Sequence, residues 1–285
     1  ESSMSSDSVL IAATPAVSIE VIVETEFAGW LAKQDAATQA QMVAQRFEGK
    51  RYTHAVCFAA DGRVAGALIG ARSLDDFWAL GHAALSLPPQ AYALSELLPA
   101  GTRLRLALGF ALGAYQFLRY KQKSRRALAQ LVVADDIQRA SIERIAAAVY
   151  AARDLVNTPT EDLGPDQFED AVAGVAAVNG AEFVSISGDE LLQQNFPAIH
   201  AVGRASHRAP RLLELTWGDP SHPRIAILGK GVCFDTGGLD IKSADGMAAM
   251  KKDMGGAAVA LQLAQLVMAE KLPLRLHLLI AAVEN

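Results

Sequence analysis

Four charged residues, Lys230, Asp235, Lys242 and Asp253, stand among glycines at positions 229, 231, 237 and 238 and ahead of Gly255-Gly256. Charge is costly beside buried strands unless it is paired or holds a metal. The apolar run Ile225 to Leu228 reads as a buried strand, and the glycines after it let the backbone turn tightly and approach a ligand. Two amines and two carboxylates at the carboxyl end of a parallel strand are therefore a candidate site. Carboxylates with an amine suit a hard or borderline divalent ion such as Zn2+, Mn2+ or Mg2+. On spacing alone, a glycine-rich αβ loop with solvated charges is the competing reading.

Other chemistries lack their patterns. None of the six histidines, His54, His82, His200, His207, His222 and His277, is paired at i, i+4 as a zincin helix requires. His277 alternates within an apolar run and is expected to be a satisfied core residue. No G-x-S-x-G elbow or Cys-His nucleophile signature is present. Gly229-Lys230-Gly231 lacks the spacing of a phosphate loop. Two cysteines, Cys57 and Cys233, point to a reducing compartment rather than a disulfide framework. Cys233 reads as a small apolar filler.

The full stretch reads Gly229-Lys230-Gly231, Phe234-Asp235-Thr236-Gly237-Gly238, Ile241-Lys242 and Met250-Lys251-Lys252-Asp253-Met254-Gly255-Gly256-Ala257. It resembles the metal-binding core of the leucyl (cytosol) aminopeptidases, the M17-type two-metal metallopeptidases. That resemblance implies two divalent ions per subunit, Mn2+ or Zn2+ with Mg2+ as an alternative. It implies that Lys230 binds one ion through its amine, that Asp235 bridges both, and that Asp253 binds the first and helps hold the substrate's free α-amino group. A free lysine amine has a pKa of about 10.4, so the metal must displace its proton, which makes binding pH-dependent. Lys242 is implied as the catalytic side chain that hydrogen-bonds the scissile carbonyl and its developing oxyanion. The implied nucleophile is a hydroxide bridging the two ions. Met250 matches a position lining the pocket for the first side chain, where a methionine suits leucine-like groups. A bicarbonate-like base, peptide substrates, a homohexamer and a cytoplasmic setting are also implied by the resemblance.

The chain departs from the family pattern twice. Ser243 stands where proline often follows I-K, which predicts a looser loop. The second signature, N-T-D-A-E-G-R, with its further carboxylates and arginine, does not occur. The chain is thus expected to be a piece, roughly the first two-thirds of a family member, with little peptidase activity alone. Asp235 and Asp253 would then face each other without full compensation, which disfavours ionisation of both. The apolar run Leu274 to Val283 would leave an exposed sheet edge. Two rivals are a non-catalytic α/β binding or scaffold protein on a peptidase core, and a phosphate-binding domain using Gly229 to Gly238.

The elements that must position these residues are those of a two-domain α/β protein. Its 285 residues suffice for two domains, and 51% hydrophobic against 20% charged residues supports a large core. A net charge of −5 gives no reason to expect nucleic acid or acidic lipid as a partner. The basic cluster Lys121, Lys123, Arg125 and Arg126 reads as a solvated turn. No run is suited to a transmembrane helix, and the start carries no basic leader pattern. Glu1-Ser2-Ser3 ahead of Met4 reads as a tag remnant.

Residues 1–136 are expected to form a non-catalytic α/β domain. In it, Val17 to Val23, His54 to Ala60, Val64 to Leu68, Arg103 to Leu108 and Leu128 to Val133 are strand-like. Phe27 to Phe47, Trp78 to Ala84 and Ala91 to Leu98 are helix-like, and Ala107 to Tyr120 has apolar residues at helical spacing. Residues 137–159 form a linker helix ended by Pro159, with Arg153 and Asn157 read as structural. Residues 160–285 form the N-terminal part of a catalytic domain. Helices are expected over Asp166 to Val178, Gly188 to Gln194 and Ala257 to Glu270, and a loop over Ile199 to Ser206. Strands over Glu182 to Ile186, Arg211 to Trp217, Ile225 to Leu228 and Leu274 to Val283 predict a mostly parallel, incomplete sheet.

Overall fold

In a computed structural model of the chain, residues 8–121 and 127–285 are described. Lys123, Arg125 and Arg126 of the basic cluster, and the Glu1 to Met4 start, lie outside the described residues. The chain divides into two compact units, Glu1–Ala146 and Ala147–Asn285.

The first unit carries a six-stranded sheet formed by β1 (Leu10–Ile11), β2 (Val17–Val23), β3 (His54–Phe58), β4 (Val64–Ala71), β5 (Ala91–Leu94) and β6 (Gln130–Val132), in the order β1-β6-β5-β2-β4-β3. Four neighbouring pairs are parallel; only the hairpin β3–β4 is antiparallel. Its helices are α1 (Phe27–Leu31), α2 (Ala36–Ala44), α3 (Ala83–Ser86) and α4 (Ala100–Gly113). Two expectations are corrected. Arg103 to Leu108 is helical, because Leu106, Ala107, Phe110 and Ala111 make one buried helical face. Ala91 to Leu98 is not a helix: Ala91–Leu94 pairs with both β2 and β6, and ladder bonds to two neighbours outweigh local preference.

Helix α5 (Asp136–Asn157) runs across the division between units and stops where Pro159 disfavours helix at Thr158. The second unit continues with α6 (Pro165–Asn179), β7 (Glu182–Ser187), α7 (Glu190–Gln193), α8 (Pro197–Gly203), β8 (Arg211–Trp217), β9 (Arg224–Phe234), α9 (Ala244–Met247), α10 (Gly255–Ala269) and β10 (Arg275–Glu284). Pro165 occupies the first helical position of α6, and Gln167 Oε1 accepts from the Gly164 amide at 2.9 Å. Ile199 to Ser206, expected as a loop, is largely α8, which Pro197 starts in the same way.

The strand order of the second unit is β7-β8-β10-β9. Here β9–β10 is parallel, whereas β7–β8 and β8–β10 are antiparallel. The mostly parallel character expected of this sheet therefore belongs to the first unit; among the described residues this one is mixed. The sheet-edge expectation is also reversed. Strand β10 lies between β8 and β9, and Leu276, Leu278, Ile280 and Ala282 are buried along one face. At the end of the strand order stands β9, where Ile225 and Leu228 are 39% and 73% exposed rather than buried. The core joins Phe168 and Val172 of α6 to Leu213 and Leu215 of β8, and Ala257, Leu261 and Ala264 of α10 to β10.

Candidate metal and peptidase site

Strand β9 runs further than its apolar start suggests, through Lys230 to Phe234, and so delivers Asp235 just beyond its carboxyl end. Close packing explains the glycines along it. A Cβ on Gly229 would stand 2.6 Å from Ala257 Cα, so only glycine lets β9 approach the first turn of α10. Beyond Asp235 the chain turns through Gly237 and Gly238, at φ +84° and +85°, and keeps positive φ at Leu239 and Asp240. Positive φ at non-glycine residues costs of order 1–3 kcal/mol each and persists only where the surroundings impose it. It returns to Lys242, whose amide donates to the Thr236 carbonyl at 2.9 Å.

The four charged residues form two ion pairs. Lys230 Nζ donates to Asp253 Oδ1 at 2.9 Å and lies 2.9 Å from Oδ2. Lys242 Nζ donates to Asp235 Oδ2, and Asp235 Oδ1 accepts from the Gly237 amide at 2.8 Å. Each aspartate is therefore compensated by a lysine, which corrects the expectation of two carboxylates facing each other. The Lys242 hydrogen bond is the main cause that holds the Asp235 carboxyl below the usual carboxylate range. The Gly237 amide and the Asn285 side chain act in the same direction. Met250 joins the two pairs: its sulfur is 3.3 Å from Lys242 Nζ, and its 3-10 turn, Met250–Lys252, leads straight into Asp253.

Several neighbours escaped sequence reasoning. Lys251 Nζ donates to the Asn157 carbonyl at 2.8 Å, tying the 3-10 turn to the last residue of α5. Thr236 and Asn285 bond to one another beside Asp235. The only sequence signal for Asn285 is a polar residue at the end of an apolar strand. Ser243 does not loosen its loop: its hydroxyl accepts from the Gly246 amide at 3.2 Å and caps α9. Cys233 is buried as expected, and burial, assisted by the Glu284 charge, pushes its thiol up to about 12. His277 is not a core residue; it lies half-buried across from Thr216 and near Glu214.

The donor set suits a hard or borderline cation: two carboxylates and one amine, with the Asp253 carboxylate largely sheltered from solvent. Among the described residues no group of three or more His, Cys, Asp or Glu is placed to hold a metal. The set therefore fits part of a metal site.

A model of the cytosol aminopeptidase family catalytic domain matches residues 150–285, and one of the M17 aminopeptidase N-terminal domain matches residues 17–134. The chain belongs to the M17 cytosol aminopeptidase family. A relative from Wolinella succinogenes, named "Probable cytosol aminopeptidase", is 38% identical over 196 residues, covering 63% of this chain and 40% of its own. A relative of the same name from Leifsonia xyli subsp. xyli is 33% identical over 262 residues, covering 86% and 53%. The crystal structure of a cytosol aminopeptidase from Coxiella burnetii superposes with a TM-score of 0.89 at 40% identity, over 97% of this chain and 61% of its own. The bottromycin maturation enzyme BotP, solved in complex with Mn, superposes at 0.78 and 28% identity, over 96% and 60%. This M17 chain spans about half the length of the curated relatives it matches. No helix among its described residues is long and apolar enough to cross a membrane.

Proposed function

We propose that this M17 chain is the N-terminal domain and part of the catalytic domain of a metal-dependent leucyl aminopeptidase. The observation that carries the proposal is the junction of the two lysine–aspartate pairs through Met250, at the carboxyl end of β9 and the start of α10. Lys230, Asp235 and Asp253 would hold divalent metal, Mn2+ or Zn2+, and the Mn-bound BotP structure supports that choice. Bound metal supplies Lewis-acid polarisation of the scissile carbonyl and of the attacking water.

Each residue then has a task. Lys230 would hold the metal through its amine. Asp253, at the end of the Met250–Lys252 turn, orients the free α-amino group of the substrate. Lys242 lies on the same carboxylate that would bind metal. Lys242 would donate from its ammonium to the scissile carbonyl and to the oxyanion forming there. Met250, touching Lys242 Nζ, lines the pocket for the first side chain and sets a leucine-like preference. The domain boundaries proposed are 1–136, a linker helix at 137–159 and 160–285. The naming of the relatives supports a cytoplasmic setting, and the family resemblance extends the proposal to a homohexamer.

Hydrolysis of Leu-p-nitroanilide by the full-length aminopeptidase that carries these residues, the parent protein of every test below, tests the function. Turnover should be lost on chelation and restored by Mn2+ or Zn2+, and N-acetyl-Leu-p-nitroanilide should resist. Turnover indifferent to chelation would refute the metal-dependent reading.

A further inference from the structure

We infer that Asn285 is the positioning residue that aims both Asp235 and Lys242. The inference rests on the metallopeptidase reading of the site and adds to it a residue outside the metal-binding stretch.

The two chain neighbours of Asp235 are both bonded to Asn285. The Asn285 amide donates to the Phe234 carbonyl at 3.1 Å. The Thr236 amide donates to Asn285 twice, to the backbone oxygen at 3.2 Å and to Oδ1 at 3.0 Å. Asp235 thus projects from the middle of a bracket, and the side-chain bond is the shorter of the two made by Thr236. A bulge precedes the bracket. Pairing between β10 and β9 shifts register after Val283, so Glu284 opposes Phe234 and Cys233 is the extra residue. Such bulges bend a strand and re-aim the residues beyond it.

Thr236 carries the constraint onward. Its carbonyl accepts from the Lys242 amide at 2.9 Å, and its hydroxyl accepts from the Asp240 amide at 3.2 Å. Between these bonds run four successive residues with positive φ, Gly237 to Asp240. A path of that kind needs both ends fixed. Asn285 fixes the outgoing end at Asp235 and, through Thr236, the returning end at Lys242.

The test compares Asn285→Ala and Asn285→Leu with the parent protein, using Mn2+ calorimetry, Leu-p-nitroanilide kinetics and thermal melting. Leucine keeps the bulk of asparagine without its acceptor. Both variants should bind Mn2+ about 10–100-fold more weakly. The loss should fall on kcat more than on KM, and melting should stay close to the parent. Parent-like Mn2+ affinity in a folded Asn285→Leu protein would overturn the inference. Hydrogen exchange in the parent supplies an independent readout: the Thr236 amide should be protected, and free exchange there overturns the bracket even if both variants unfold. Asp235→Ala separates this inference from the reading beneath it. If Asp235→Ala loses Mn2+ while Asn285→Leu keeps it, only the positioning role fails. If Asp235→Ala also keeps it, the metal site itself is misassigned.

Discussion

Lys230 Nζ stands 2.9 Å from both carboxylate oxygens of Asp253. The carboxylate is largely sheltered, with 18% of its side chain exposed, while the lysine side chain is 61% exposed. The lysine is thus the solvent-facing member of the pair. Exposed ion pairs contribute little to stability, about 0–1 kcal/mol.

Lys242→Ala should reduce kcat for Leu-p-nitroanilide by about 10²–10³-fold, the usual cost of deleting an oxyanion donor. Mn2+ affinity should change much less, because Lys242 is assigned no metal bond. Steady-state kinetics beside calorimetry would show the split, and equal losses in both would make Lys242 a ligand.

Met250→Ala should erode the preference for leucine over alanine at the first substrate position. Removing side-chain volume from such a pocket changes discrimination by roughly 10–200-fold. The ratio of kcat/KM for Leu- and Ala-p-nitroanilide measures it. An unchanged ratio would place Met250 outside the pocket despite its 3.3 Å contact with Lys242.

Gly229→Ala should destabilise the second unit by about 1–3 kcal/mol, as overpacking does. The added methyl would sit 2.6 Å from Ala257 Cα, which is backbone that cannot swing away. Urea unfolding monitored for the second unit reads this directly.

Acid should weaken the first unit through His82. Burial, followed by the neighbouring His54 ring at 5.4 Å between centroids, lowers its pKa from 6.5 to about 4. The folded state then binds fewer protons than the unfolded state between those values, so stability rises with pH across that window. The contribution is complete above about pH 6.5 and lost as pH falls toward 4. Between pH 7 and 5 the loss should be about 1 kcal/mol, allowing for the ring's partial contact with solvent. His82→Gln should flatten this part of the pH profile in denaturant unfolding; a profile as steep as the parent's would assign the effect elsewhere.

The placement of Lys230, Asp235, Lys242 and Asp253 close together was legible because they lie in one short stretch. Gly237 and Gly238 make the turn and Gly229 the close approach that glycine suggests. Elements set by distant partners were less legible. Arg103 to Leu108 alternates polar and apolar residues like a strand, and only Phe110 and Ala111 complete the helical face that the fold buries. Ala91–Leu94 is a strand because β2 and β6 flank it. The interior place of β10 depends on β8 crossing to its far side, which no local pattern encodes. Asn285 meets Thr236 across 49 residues of sequence, so its place at the site depends on that same strand pairing.

The most direct test is Leu-p-nitroanilide turnover against Mn2+ concentration in the parent and in Asp235→Asn, which keeps the side-chain shape and removes its charge. If Asp235 holds the metal that drives hydrolysis, Asp235→Asn should lose more than about 10²-fold in turnover at saturating substrate and bind Mn2+ far more weakly than the parent. Parent-like turnover at the same Mn2+ concentration would contradict the assignment of this site as the catalytic centre.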